Sequence, residues 1–148
     1  MKISTKGRYG LRAMVDLALH SSGDYVALNT IAERQNISEN YMEQVFSTLR
    51  KAGIVKSVKG AQGGYALSGK PSNIKVGTIL RALEGELFSA DEIETGVSDP
   101  KSLQNCIKVH VWDKIHRGIN DVVDTITLED LVNEYKKANH GEMLMFYI

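Results

Sequence analysis

The chain has 148 residues, of which 43% are hydrophobic and 24% are charged, so we expect either one globular domain or a small domain with an appendage. The first eight residues contain no apolar run, and no segment reaches about 18 consecutive apolar residues. We therefore expect no signal peptide, no membrane span and a cytoplasmic location. Cys106 is the only cysteine, which excludes an internal disulfide and a cysteine-rich metal site within one chain.

The formal net charge of zero conceals a difference between the two halves of the chain. Residues 1–70 contain ten Lys and Arg against five Asp and Glu, and residues 71–148 contain eight against thirteen. The halves therefore carry net charges of +5 and −5. A basic half joined to an acidic half favours a module that binds a polyanion, attached to a module for regulation or assembly. Chance clustering of charges on solvated surfaces is the alternative.

The basic half begins with the pattern of a helix-turn-helix. Apolar residues at helical spacing predict a first helix over about residues 6–21, with Thr5 as its N-cap. Asn29 is the expected N-cap of a short second helix from Thr30 to Gln35. Ser38 is the expected N-cap of a third helix, which ends before Gly53. Two helices joined by a short turn form a unit whose second helix can enter the major groove of DNA.

A β-hairpin is predicted directly after the third helix. Ile54–Val58 and Tyr65–Leu67 are short alternating strands, and Lys59–Gly64 is a glycine-rich turn between them. A hairpin that follows a helix-turn-helix is a wing. One more helix begins near Ile74 and ends at Gly85, which completes an expected DNA-binding domain of residues 1–85.

The acidic half is expected to begin with a linker and a long helix. Residues 86–101 are acidic and contain Gly96 and Pro100, as in a loop. In residues 102–125 apolar side chains recur every three or four positions, and a symmetric dimer is the commonest way to cover such a stripe. Packing on the chain's own domain is the alternative. The predicted dimerisation residues are Leu103, Ile107, Val111, Ile115, Ile119 and Val122.

A capping box marks the start of the last predicted helix. Thr127 is followed three residues later by Asp130, and Ile126 and Leu131 stand at the positions of a hydrophobic staple. The helix is expected to continue to about Ala138. Residues 102–138 would then form the dimerisation helices, and residues 139–148 a C-terminal tail.

No residue pattern indicates catalysis or a metal site. The wing glycines lack the Lys and Ser/Thr of a phosphate-binding loop, and they join two strands. The four histidines, at positions 20, 110, 116 and 140, do not form a pair four residues apart on one helical face. No Ser, Cys or Lys has a base placed beside it by local spacing. We therefore expect a protein that is not an enzyme and needs no cofactor.

Duplex DNA is the expected partner of the basic half. The third predicted helix leaves Glu43 and Gln44 facing outward, and these side chains can pair with cytosine and adenine, respectively. A polar helix face that only meets water is the alternative, but basic residues on both sides of this helix are placed to meet phosphates. The predicted DNA-binding residues are Thr5, Lys6, Arg8, Tyr9, Ser38, Asn40, Tyr41, Glu43, Gln44, Ser47, Arg50, Lys51, Lys56, Lys59, Gly60 and Gln62.

Several of these segments resemble a known family. Ser4–Gly10, Ile31–Glu33, Tyr41–Gln44, Leu49–Gly53 and Lys59–Tyr65 are similar to the corresponding motifs of the Rrf-type winged-helix regulators. The resemblance covers nearly the whole chain and is most specific in residues 1–85. It implies a mainly α-helical fold with a small β-hairpin wing, in which a winged helix-turn-helix is joined to a long dimerisation helix. It also implies a homodimer that represses transcription from a palindromic operator.

Two branches of that family imply different chemistry. The iron–sulfur members carry three cysteines, about six residues apart, before the long helix, and a cluster needs mostly thiolate ligands. Here only Cys106 matches, while Pro100 and Glu94 stand at the other two places. The C-terminal half is more similar to the repressors of cysteine metabolism, which favours sulfur-metabolism genes as targets. A redox-sensing or iron–sulfur regulator that uses Cys106 is the alternative.

The last three residues, Phe146, Tyr147 and Ile148, are too apolar for a solvated terminus. One expectation is that they pack back on the dimer. The resemblance to the cysteine-metabolism repressors implies a second, in which the terminal carboxylate and its apolar side chains bind the enzyme O-acetylserine thiol-lyase. A function mainly as a protein-interaction module is the corresponding alternative from a different class.

Overall fold

The computed structural model describes residues 1–88 and 99–146, with side chains as far as His140. Its first helix, α1, is Thr5–His20. Ser4, rather than the expected Thr5, is the N-cap, and its hydroxyl accepts a hydrogen bond from the Gly7 amide at 3.4 Å. The Glu84 carboxylate also accepts from the amides of Ser4 and Gly7, each at 3.0 Å. This long-range cap fixes where α1 begins.

Helices α2 and α3 are Leu28–Gln35 and Glu39–Lys51. The N-cap of α2 is Ala27 and not the expected Asn29, because Thr30 bonds back to the Ala27 carbonyl through both its amide and its hydroxyl. Asn36 adopts the left-handed conformation, with φ of 54°, and turns the chain between the two helices. The predicted helix-turn-helix is thereby confirmed.

Local caps fix both ends of α3 as the sequence predicts. The Ser38 hydroxyl accepts from the Tyr41 amide at 3.2 Å. At the other end Gly53, with φ of 78°, donates to the Arg50 carbonyl at 2.9 Å. Between the caps, one side of α3 buries Met42, Val45, Phe46 and Leu49 in the core. The opposite side is therefore free to meet a partner.

The wing is an antiparallel hairpin of β1, Val55–Val58, and β2, Gly64–Leu67, in which Val55 pairs with Leu67. A bridge between Val26 and Tyr65, with two hydrogen bonds of 2.8 Å, attaches β2 to the segment before α2. A Cβ at Gly64 would collide with the Val26 carbonyl oxygen, which explains why glycine begins this strand. The wing is therefore held against the helix-turn-helix by backbone bonds.

After a 3₁₀ turn at Pro71–Asn73, helix α4 spans Val76–Glu84 and ends at Gly85, which has φ of 79°. Its N-terminus lies beside the start of the last helix. The Val76 amide donates to the Ile126 carbonyl at 2.8 Å, and the Leu128 amide donates to the Ile74 carbonyl at 2.9 Å. Backbone hydrogen bonds thus join the C-terminal helices to the unit formed by α1 to α4 and the wing, which we call the wing-side domain.

The long helix is present and runs without a break from Leu103 to Thr125. It consists of α5, Leu103–Ile107, a π-helical segment at Lys108–Trp112, and α6, Asp113–Thr125. Ser102 caps it by accepting from the Asn105 amide at 3.0 Å. The last helix, α7, is Leu128–Phe146, so the expected end at about Ala138 was placed too early.

The capping box at the start of α7 is confirmed. The Thr127 amide donates to Asp130 Oδ2 at 2.9 Å, and the Asp130 amide donates to Thr127 Oγ1 at 3.1 Å. Ile126 and Leu131, the predicted staple, both pack against one apolar cluster. Of the predicted tail, residues 139–148, the side chains beyond His140 lie outside the described residues.

Two apolar clusters hold the molecule together. The larger one joins α1, α2, α3, the wing and α4, and contains Met14, Leu17, Phe46 and Ile79, all fully buried. The smaller one places Val123 of α6 against Val76 and Leu80 of α4, together with Leu87. Leu87 and Phe88 are buried, so the start of the expected acidic linker is part of the core, while residues 89–98 lie outside the described chain.

The predicted fold class, mainly α-helical with a β-hairpin wing, is confirmed. Among the described residues, no helix combines the length and the apolar character that crossing a membrane requires.

Candidate nucleic-acid interface

The outward side of α3 forms a shallow groove of about 580 Å³, lined by Asn40, Glu43, Gln44, Ser47, Thr48 and Lys51. We call these six residues the recognition face. Glu43, Gln44 and Asn40 are exposed, and their amide and carboxylate groups are those that pair with base edges. Their backbone is rigid because the other side of α3 is buried in the larger cluster.

The N-terminal turn of α1 lies beside the recognition face. Lys6 Nζ donates to Thr48 Oγ1 at 3.3 Å, and Thr48 Oγ1 in turn donates to the Gln44 carbonyl at 3.1 Å. Arg8 and Thr5 are exposed on the same turn and are joined by a hydrogen bond of 3.3 Å. The structure therefore brings the predicted residues of α1 next to those of α3.

Aromatic packing fixes the contact between α1 and α3. The rings of Tyr9 and Tyr41 meet edge to face, with centroids 6.0 Å apart. The Arg12 guanidinium lies 5.1 Å from the Tyr9 ring centroid and donates to the Gln35 carbonyl at 2.6 Å. Tyr9 and Tyr41 are half-buried, so of the predicted DNA-binding set these two are also packing residues.

The wing stands on the C-terminal side of α3. Arg50, in the last turn of α3, lies 3.5 Å from the Ser57 hydroxyl of β1. Lys59, Gly60 and Gln62 are exposed at the wing tip, where Gly60 has φ of 112° and accepts a hydrogen bond from the Gly63 amide at 3.0 Å. The wing tip therefore presents the Lys59 cation, the Gln62 amide and the exposed backbone of Gly60.

Lys56 is the predicted residue that the structure separates from the others. Successive side chains of a strand point to opposite faces. Ser57 faces Arg50, whereas Lys56 lines a different depression with Ala18, Tyr25 and Pro71. Lys56 therefore lies on the opposite face of β1 from the contact between Ser57 and Arg50.

The cations around the recognition face have no acidic partner among the residues that the structure describes. In the described part of the chain, ion pairs are formed by Arg34, Arg81, Lys108 and His20, all away from the recognition face. The basic residues around the recognition face, which form no ion pair there, are Lys6, Arg8, Arg50, Lys51 and Lys59. Charges left unneutralised on one side of a domain produce a positive field that attracts a polyanion.

A buried carboxylate holds α2 in place behind this surface. Asp16 of α1 accepts from Arg34 Nη2 at 2.7 Å and from Gln35 Nε2 at 2.8 Å. Burial alone would raise the pKa of Asp16, but the hydrogen bonds from Arg34 and Gln35 outweigh it and lower that pKa from its ordinary value. Asp16 is therefore ionised near neutral pH and fixes the end of α2 just before the turn into α3.

An apolar stripe lies on the outer side of the long helix. Leu103, Ile107, Val111, Ile115 and Val122, which we call the outer stripe, are between 37% and 76% exposed. Ile119, predicted as a sixth member, is half-buried against the smaller cluster. The other side of α6 is fixed to α4, since Arg81 donates to Asp124 Oδ1 at 2.7 Å and to Asn120 Oδ1 at 2.6 Å. The hydrogen bond from Arg81 lowers the pKa of Asp124.

Three residues that sequence reasoning missed belong to this site. Thr48 bonds Lys6, Ser57 bonds Arg50, and Arg12 joins Tyr9 to the end of α2. The position of Thr48 one turn after Gln44 was a usable signal, because residues four apart share a helix face. The roles of Ser57 and Arg12 depend on how separate elements pack, which local spacing does not show.

Residues 3–134 match the family described as "Rrf2: Iron-dependent Transcriptional regulator". The regulator CymR of Bacillus subtilis strain 168 is 42% identical over 148 residues, which is 100% of both chains. The structure of CymR, the global cysteine regulator of B. subtilis, has a TM-score of 0.76 at 41% identity and covers 90% of this chain and 98% of that one. The structure of T. potens IscR has a TM-score of 0.74 at 46% identity, with 93% and 90% covered.

The donor groups of the described residues do not fit the iron–sulfur alternative. Cys106 is the single thiol of the sequence and is exposed on α5. In residues 1–88 and 99–140, no three His, Cys, Asp or Glu side chains are grouped so as to hold a metal ion. One thiolate falls short of the mostly thiolate ligand set of a cluster within one chain.

With its family match, its relatives and its winged helix-turn-helix taken together, the chain belongs to the Rrf2 family of DNA-binding transcriptional regulators.

Proposed function

We propose that the chain is a cytoplasmic, homodimeric repressor that acts by binding a specific DNA sequence and has no catalytic activity. The observation that carries this proposal is the recognition face of α3, a rigid polar surface surrounded by cations that have no acidic partner in the described chain. Such a surface combines base-edge readout with phosphate contacts.

In this proposal α3 lies in the major groove and the wing tip in the neighbouring minor groove. Glu43 and Gln44 read bases, while Lys6, Arg8 and Lys51 contact phosphates on either side. Arg50 and the exposed tip of Lys59, Gly60 and Gln62 extend the contact from the end of α3. Ser38, at the N-cap of α3, adds a hydroxyl where the helix dipole favours a phosphate.

Selection of bound sequences from random DNA, repeated with two variants, tests this assignment. Glu43→Ala should change the preferred base at one position, because a good side-chain–base pair contributes about 1–3 kcal/mol of discrimination. Lys51→Ala should leave the preference intact, weaken binding evenly and reduce the salt slope by about one. Lys56→Ala is the matched control, and we expect a smaller loss from it. An unchanged preference in Glu43→Ala would contradict the base-reading role.

The proposed dimer forms through the outer stripe. Two residues of the stripe, Ile115 and Val122, also line an apolar groove of about 520 Å³. The other lining residues are Met1, Gly118, Ile119 and Val123. A second copy related by a two-fold axis would place the same stripe in this groove and remove both from water. Because a two-fold symmetric dimer binds two half-sites related by the same symmetry, the operator is expected to be palindromic, with half-sites about one helical turn apart.

The finer proposal is that the regulated genes serve cysteine or sulfur metabolism. It is supported by the 42% identity to CymR of B. subtilis over the full chain and by the likeness to the structure of that global cysteine regulator. Sequencing of the chromosomal DNA bound by this protein in its own cells is the test. Enrichment of sites upstream of sulfur-assimilation genes is expected, and enrichment upstream of iron–sulfur assembly genes alone would refute it.

We also propose that the C-terminus binds O-acetylserine thiol-lyase. The support is the apolar character of Phe146, Tyr147 and Ile148, because a pocket of backbone amides can capture a terminal carboxylate that is flanked by apolar side chains. Deleting residues 146–148, or adding one Gly after Ile148, should abolish binding to the lyase in calorimetry, and O-acetylserine should compete. Undiminished binding by both variants would refute the tail proposal and leave DNA binding unaffected.

A further inference from the structure

A second concave surface lies behind the recognition face. It is a cleft of about 740 Å³ between α1, the end of α2 and α7, a size within the range of about 300–1,000 Å³ of small-molecule sites. Leu11, Val15 and Leu131 form an apolar floor, and Arg8, Arg12 and Arg34 contribute cationic groups. Leu11 and Leu131 also pack against the smaller cluster, so the floor is supported by the core.

The charges in the cleft are unequally neutralised. Arg34 is paired with Asp16, at 2.7 Å. Arg8 bonds only the neutral Thr5 hydroxyl, and Arg12 bonds the neutral side chain and carbonyl of Gln35. Within the described part of the chain neither guanidinium meets a carboxylate. The cleft therefore combines an apolar floor with two guanidinium groups that can form bidentate hydrogen bonds to an anionic head.

We propose that this cleft binds an amphipathic organic anion, a small molecule with an apolar body and one carboxylate or sulfonate group, and that binding weakens the contact with DNA. The second part rests on the proposed function. Arg8 belongs to the proposed phosphate contacts, so it cannot serve both ligands fully. Arg12 stacks on Tyr9, whose ring meets Tyr41 of α3, so an anion that moves Arg12 also disturbs the recognition helix.

The site can be tested on the full chain without DNA. The probes are the anionic dye 8-anilinonaphthalene-1-sulfonate and its uncharged counterpart N-phenyl-1-naphthylamine, followed by fluorescence. Tyr135 lines the cleft from α7 and is 54% exposed, so substitutions there leave the core intact. Tyr135→Glu should lower the affinity for the anionic dye at least about fivefold, because the new carboxylate repels the dye and competes with it for Arg8 and Arg12. Tyr135→Gln introduces a side chain with the shape of Glu but no charge, so this variant should keep most of the affinity.

Three comparisons decide between this cleft and other apolar surfaces. The uncharged dye should bind more weakly than the anionic one, and it should respond equally to Tyr135→Glu and Tyr135→Gln. Val122→Ser, which lies in the proposed dimer interface, should leave the roughly fivefold effect of Tyr135→Glu on anionic-dye binding unchanged. If Val122→Ser removes the signal and Tyr135→Glu does not, the dye binds the stripe and the proposed site is wrong.

Competition with DNA tests the regulatory part separately. Operator fragments selected as described above should displace the anionic dye from the native chain, and saturating dye should lower operator affinity in native protein but not in Tyr135→Glu. If the dye binds the cleft and operator affinity stays constant, the coupling is wrong. If no DNA binds at all, the proposed function fails, while the dye measurements still decide whether the site exists.

Discussion

Replacing Ile115 with Asp should separate the proposed dimer without unfolding the single chain. Ile115 is 42% exposed in one chain, so the substitution removes little of the chain's own core. In a two-fold interface each residue occurs twice, and the variant dimer would therefore bury two carboxylates. An uncompensated buried charge costs about 3–5 kcal/mol, so two cost at least about 6 kcal/mol, equivalent to a dimer roughly 10⁴-fold weaker.

Light scattering after size-exclusion chromatography at micromolar protein would measure this loss. Ile115→Asp should elute as a monomer with an unchanged thermal transition of the wing-side domain, and its operator affinity should fall because the two half-sites are no longer linked. Arg117→Asp places the same carboxylate on the exposed polar side of α6 and should remain dimeric. A dimeric Ile115→Asp variant, or a monomeric Arg117→Asp variant, would refute the assigned interface.

Three further predictions concern stability. Hydrogen bonds hold the pKa of Asp16 below its ordinary value of 3.8, so the stabilisation by Asp16 is present above that pH and is lost as the pH falls through the lower folded-state pKa. In urea unfolding, the Asp16→Asn variant should therefore be less stable than the native protein at pH 7, and the difference in the free energy of unfolding should shrink in acid. Gly77→Ala should lower the melting temperature although alanine favours helices, because the new Cβ would meet Asp124 Oδ1 and lie 3.0 Å from Val123 Cγ2. Thr127→Ala, which removes the cap of α7, should cost about 1 kcal/mol in the same unfolding assay, and an unchanged midpoint would contradict its role.

The sequence predicted those features that depend on residues close together in the chain. The caps by Ser38 and Thr127 and the turn at Gly53 were recognisable because each requires particular residue types at a fixed offset. The winged helix-turn-helix followed from these signals together with the change from helical to alternating spacing. Its DNA contacts and the dimer interface stay predictions.

Features that depend on distant residues were beyond such reasoning. Glu84 accepts a hydrogen bond from the amide of Ser4, 80 residues earlier, and α1 is capped by Ser4 instead of the expected Thr5. The face of β1 that carries Lys56 is decided by how the hairpin packs, and an alternating strand is compatible with either orientation.

The apolar pattern of the long helix predicted the helix itself but not its π-helical segment. Residues four apart drift by about 40° around an ideal α-helix, so the sequence Leu103, Ile107, Val111 and Ile115 would gradually leave one face. The π segment at Lys108–Trp112 has more residues per turn and offsets that drift. All four side chains are at least 37% exposed.

The Glu84 cap also determines how the first helix can meet DNA. The N-terminus of a helix ordinarily offers free amides to a phosphate. Here the Glu84 carboxylate already occupies the amides of Ser4 and Gly7, so an internal anion takes the place that a nucleotide phosphate would otherwise fill. Its negative charge should keep a bound DNA strand away from the helix axis, so in the proposed complex we expect contact at this end from the side chains of Lys6 and Arg8. The orientation of α1 is consequently set before DNA arrives, and no ordering of this helix has to accompany binding.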